Sequence, residues 1–141
     1  MKTKIIISTL LLLLLMGAVC ATQYDNLKAP AGYETMAAGI SEKLDNHDVY
    51  FYVGEMEFNK DIFENKTDDY TNQVVTPLED NIYKFVDSKL SSCGVQEKVK
   101  LDGKEYLISI VDEQGADGDI DSYLTTMKEF NKINNLIPMT I

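Results

Sequence analysis

The chain has 141 residues, enough for one domain, with 23 Asp and Glu against 13 Lys and no Arg, for a formal net charge of −10. An acid excess of that size repels nucleic acid and anionic lipid and sets the chain against both as partners. Two cysteines, Cys20 and Cys93, are too few for a disulfide framework.

Met1-Lys2-Thr3-Lys4 opens the chain with two cations and no acid. An apolar run from Ile5 to Ala21 follows, broken by Ser8, Thr9 and Gly17, and it closes on small residues, Gly17-Ala18-Val19-Cys20-Ala21. Basic, apolar and small segments in that order read as an export signal, cleaved after Ala21 or one residue earlier. The run is shorter than the roughly 20 apolar residues a retained span needs. No basic cluster follows it, and Val19 is a poor neighbour for a lipid-attachment cysteine at Cys20. The expectation is a signal peptide over residues 1–21 and a single domain over 22–141, secreted or at the cell surface, with no membrane span in the mature chain. Cleavage removes Lys2 and Lys4 and no acid, so 11 cations face 23 acids and the net charge becomes −12. Cys20 leaves with the leader, Cys93 stands alone, and stability must come from an apolar core.

Gln23 to Ala31 reads as an extended lead-in, because Pro30 biases Ala29 away from helix. Residues 38–57 read as a hairpin. Ala38–Leu44 forms one strand, Asp45-Asn46-His47-Asp48 the turn, and Val49-Tyr50-Phe51-Tyr52-Val53 the strongest strand signal in the chain. Asn59 to Glu64 reads as one helical turn and residues 65–72 as a polar loop.

Thr76-Pro77-Leu78-Glu79 has the form of a capping box with Pro at the first helical position. Leu78, Ile82, Phe85 and Leu90 then recur near one helical face, and Gly94 offers a left-handed stop, so a helix is predicted over 77–91. Val95–Leu101 and Lys104–Asp112 flank Asp102-Gly103, a strong two-residue turn signal. The register places Leu101 opposite Lys104, Val99 opposite Tyr106, Glu97 opposite Ile108 and Val95 opposite Ile110. Apart from Glu97 and Lys104 that face is apolar, and on the reverse face Lys100 meets Glu105. A last helix is predicted from Asp119 to Asn135, with Ile120, Tyr123, Met127 and Phe130 in one stripe and Pro138 barring continuation. Met139-Thr140-Ile141 reads as an edge strand or a loose end. The predicted fold is therefore α+β, an antiparallel sheet of two hairpins with two amphipathic helices packed on it.

Three stretches carry a resemblance: Ala29-Pro30-Ala31-Gly32-Tyr33 behind a signal, Lys100-Leu101-Asp102-Gly103-Lys104-Glu105-Tyr106, and Glu129-Phe130-Asn131-Lys132-Ile133-Asn134-Asn135. On these the chain resembles small exported proteins of unknown function from methanogenic archaea. The Pro-Ala-Gly-Tyr lead-in before a strand pair is also loosely similar to the PsbP/Mog1-like fold, which implies an accessory or binding role and transfers no site residue.

Residues with chemistry to offer are scattered. Asn65-Lys66-Thr67 is a glycosylation sequon, with Asn65 as acceptor. Asp117, Asp119 and Asp121 alternate as calcium-binding carboxylates do, but Ser122 and Lys128 break the EF-hand template, and acids at a helix start also serve as caps. Glu55, Glu57, Asp68 and Asp69 are acids of the kind glycosidases pair. His47 and Cys93 are the one His/Cys combination. Tyr50 and Tyr52, with Tyr70 and Tyr83, are a candidate recognition surface or ordinary sheet packing. No cofactor motif and no metal-ligand spacing is present. The sequence reads as an exported non-enzymatic domain binding a partner at or near the cell surface; its rival is a carboxylate-dependent hydrolase of extracellular polymers.

Overall fold

A computed structural model describes residues 27–37, 39–56, 72–114 and 119–140. Seven strands form one antiparallel sheet: β1 Tyr33–Ala37, β2 Ile40–Lys43, β3 Asn46–Glu55, β4 Gln73–Pro77, β5 Tyr83–Asp87, β6 Ser92–Leu101 and β7 Lys104–Asp112. Their spatial order is β1-β2-β3-β7-β6-β5-β4. One helix, α1 Ile120–Asn134, lies among the described residues. The expected pair of hairpins under two helices is thus corrected to a seven-stranded sheet with a single described helix.

The three central strands are the long ones, and alternation explains their place. Val49, Phe51 and Val53 of β3, Val95 and Val99 of β6, and Tyr106, Ile108 and Ile110 of β7 form one buried face. Tyr123, Met127 and Phe130 of α1 complete that core at 4%, 0% and 1% exposure. Phe51 and Phe130 rings meet at 4.5 Å between centroids. The β6–β7 register is as predicted, from Leu101 opposite Lys104 through Glu97 opposite Ile108. The turn follows from Asp102 and Gly103, both at positive φ of 49° and 84°. Glu105 sits opposite Lys100, and Lys98 Nζ reaches Glu105 Oε2 at 3.9 Å. α1 also matches its expected bounds. Asp119 caps it by accepting from Ser122 N at 3.2 Å, and Asn135 closes it at φ 53°.

The expected helix over 77–91 is corrected to the last residue of β4, the whole of β5 and the turns on either side of it. Asp80 and Asn81 both hold left-handed φ, 54° and 59°, and Ile82 N bonds Glu79 O at 2.9 Å, which turns β4 back into β5. Asp87 Oδ1 then accepts from Lys89 N and Leu90 N, each at 3.0 Å, and from Asn72 N at 3.1 Å. Side-chain capping of backbone N–H groups organises the β5–β6 turn and competes with helix. Gly94 is not a helix stop: it lies in β6, where an added Cβ would come within 1.8 Å of Ile110 O. The first hairpin exists, but its turn is Leu44-Asp45, with Asn46–Asp48 already in β3, and β1 is an additional edge strand.

The C-terminal tail runs beside β6. Met139 N donates to Lys98 O at 2.7 Å, so the tail makes an edge contact rather than a full strand.

Candidate functional site

Two neighbouring features stand out around β6: a buried acid beneath α1, and an open strand edge beside it. Glu97 lies midway along β6, between Val95 and Val99 and opposite Ile108, on the face that α1 covers. It is 0% exposed, and neither carboxyl oxygen has a hydrogen-bond partner. Burial pushes the carboxyl up to about 8. The Asn131 amide of α1 acts in the opposite direction, favouring the charged form, yet Asn131 Oδ1 is itself buried without a partner. An uncharged Glu97 can donate its O–H to that amide oxygen, which a carboxylate cannot.

Asn131 belongs to a set of asparagines at the end of α1, each with a different task. Asn134 Nδ2 donates to Lys28 O at 3.0 Å while its Oδ1 accepts from Lys28 N at 2.8 Å, pinning the lead-in segment. Asn135 supplies the left-handed cap, and Leu136 N then bonds Asn131 O at 2.8 Å to launch the tail. The stretch Glu129–Asn135 is therefore the joint at which both the lead-in at Lys28 and the start of the tail at Leu136 are tied down.

The edge feature follows from strand lengths. β5 pairs with β6 only from Ser92 to Gln96, leaving the stretch from Glu97 to Leu101 without β5. The closing pair Leu101–Lys104 turns its own N–H and C=O toward β7, so those of Lys98 and Lys100 point outward. The tail meets this edge at Lys98 O. Pro138 has no N–H to add, and Ile137 is 85% exposed.

The sequence-predicted residues are not brought together. Tyr50 and Tyr52, the candidate recognition surface, are buried at 4% and 7% on the reverse face. Tyr52 lies down over Gly54, where a Cβ would meet its hydroxyl at 2.1 Å, and Tyr50 packs with Ile40 and Val111. Burial, then Glu113 and Tyr52, raise the Tyr50 hydroxyl well above the usual tyrosine range. The sheet-packing reading applies to both rings. Tyr83 is half-buried against Met56 and Leu107, and Tyr70 lies outside the described residues. Cys93 is buried and His47 is exposed, its Nδ1 2.8 Å from Glu42 Oε1. Glu55 faces Lys104 at 3.7 Å. Glu57, Asp68 and Asp69 fall outside the described residues, as do the sequon at Asn65, Asp117 and the leader. Asp119 acts as the helix cap, and Asp121 sits in the first turn.

Among the described residues, no three His, Cys, Asp or Glu side chains form a metal-ligating group, and no helix is long and apolar enough to cross a membrane. A cleft of about 40 Å³ between Leu27, Thr35, Ile40, Phe51 and Phe130 has room for water, not for a ligand needing several hundred Å³.

Glu97 is visible in the sequence as an acid on an apolar face, with nothing local to assign it a role. The missing signal was Asn131, one turn beyond Met127 and so on the same helical face. No family model matches the chain, and neither a curated protein nor a solved structure is found similar to it.

Proposed function

We propose that this chain is an exported domain that acts by binding a partner at or near the cell surface, and that it binds by strand addition along the outer half of β6. The basic, apolar and small order of residues 1–21 and the resemblance to exported proteins of methanogenic archaea support the compartment. The observation that carries the binding mode is the edge of β6 beyond Gln96, where β5 has ended, Lys100 is exposed, and the tail adds the single bond from Met139 N to Lys98 O. A sheet edge offers a partner's extended segment a ladder of backbone hydrogen bonds, with alternate side chains left to set specificity.

A photo-crosslinking residue at Lys100, in the full chain expressed by its native host, tests this. Adducts with a surface protein are expected there and not at Lys132, an exposed control on α1. Adducts equal at both positions, or absent from Lys100, contradict the reading. The export component has its own check: the chain recovered outside the cell should lack residues 1–21 by intact mass.

A further inference from the structure

We propose that Glu97 is an alkaline-sensitive latch: uncharged, it allows α1 to seat on β6; ionised, it releases α1 and the bonds by which α1 holds the lead-in and the start of the tail, while the sheet stays folded. This goes beyond the binding reading and does not depend on it.

The geometry supplies the two states. A fully buried carboxyl is tolerated uncharged, with its O–H able to donate to the Asn131 amide oxygen, but a carboxylate in the same place without a cation is strongly disfavoured. Among the described residues, no cation acts on the Glu97 carboxyl. On β6, Val95 and Val99 flank Glu97, and Gln96 and Lys98 alternate onto the opposite face. On β7 it meets Ile108, with the Tyr106 hydroxyl the nearest titratable group along that strand. Cys93 and Asp112 lie at one end of this face, Asp112 Oδ2 accepting from the Tyr123 hydroxyl at 2.5 Å. Lys104 and Glu55 lie at the other end and pair with each other. α1 contributes the Asn131 amide, while Lys128, three residues before it, turns away to Glu79 and Asp80. The tail from Leu136 to Thr140 carries no charge. Burial raises the Glu97 carboxyl to about 8, so its ionisation falls within an ordinary alkaline range.

The joint that yields is set by how each neighbour is held. β6 is laddered to β7 from Cys93 to Leu101, and β5 adds a second ladder as far as Gln96. α1 rests on the sheet through side chains. On opening, Glu97 gives its proton to solvent and its carboxylate gains water. The Asn134 bonds to Lys28 and the Leu136 bond to Asn131 lie on the same helical end, so the lead-in and the start of the tail lose these bonds together, while Met139 N on Lys98 O and Asn81 on Pro138 O still hold the rest of the tail.

Amide hydrogen exchange of the full chain between pH 5 and pH 9, corrected for the intrinsic pH dependence of exchange, tests the latch. The opening constant of α1 should rise about tenfold per pH unit up to about pH 8 and level off above it. The β6–β7 amides, which exchange only on full unfolding, should follow the same slope from a much smaller opening constant and stay the more protected at every pH. Glu97→Gln, an uncharged near-isostere, should leave α1 opening independent of pH. A flat wild-type profile overturns the proposal. So do opening constants equal in α1 and β6–β7, which would mean that α1 opens only with the whole domain, or a rise that persists in Glu97→Gln.

Discussion

The hairpins β6–β7 and β4–β5 use the same local device and live in different surroundings. Each turns through two consecutive residues at positive φ, Asp102-Gly103 in one and Asp80-Asn81 in the other. The central pair has strands of 10 and 9 residues, flanked by further strands and covered by α1. The outer pair has strands of 5 residues each at the sheet edge, with Val74 61% exposed. Central strands are held by burial. The outer ones rely on polar tethers: Asp87 on three backbone N–H groups, Lys128 on Glu79, and Asn81 Nδ2 on Pro138 O at 3.4 Å. Turn chemistry shapes both hairpins, and apolar area decides which one anchors the domain.

Substitutions can break that contrast, and the largest effect should come from the centre. Gly94→Ala drives a methyl into the Ile110 carbonyl, a backbone atom that cannot step aside. A loss of about 4 kcal/mol or more, or failure to fold, is expected in a urea titration. Phe130→Ala empties a site that is 1% exposed and should cost about 3–5 kcal/mol in the same assay. At the edge, Asp87→Ala leaves three N–H groups short of an acceptor and should cost about 1–2 kcal/mol. Val74→Ala should shift the midpoint by no more than about 0.5 kcal/mol, and a larger loss there would show that the edge carries more of the stability than its exposure implies.

The same contrast explains what was legible in the sequence. The β6–β7 register was readable because Asp102-Gly103 admits few turn types and the alternation on both sides agrees with it. The bounds of α1 were readable because Asp119, Asn135 and the Tyr123–Phe130 stripe point to one helix. β4–β5 was not readable, because Thr76-Pro77-Leu78-Glu79 imitates a helix start and Ile82, Phe85 and Leu90 imitate a helical stripe. The period-two signal was present in Phe85 and Asp87, both buried, with Val86 between them on the other face. Pairing with Ser92–Gln96 settled the outcome, and that is a contact between strands rather than a local preference. The polar centre was half legible. Glu97 stood out on its apolar face, but Asn131 could be matched to it only once α1 lay on β6.

Stability against pH sharpens the comparison further, because the central face holds an acid whose proton depends on the fold. The Glu97 carboxyl lies above its ordinary 4.5 in the folded chain, so the folded state binds the proton more tightly than the unfolded one. The stability it contributes is fully present below about pH 4.5 and falls by up to about 1.4 kcal/mol per pH unit as pH rises, levelling off past about 8. Tyr33 adds little below pH 10, since burial first, then Asp45 and Asp112, move its hydroxyl up to about 12.

The central claim is an uncharged carboxyl at the core of the β6–α1 contact, and carbon-13 NMR of the Glu97 side-chain carboxyl across the pH range reads it directly. A single titration centred near 8 is the predicted result. A midpoint near 4.5, with α1 still seated on the sheet at neutral pH, would contradict it.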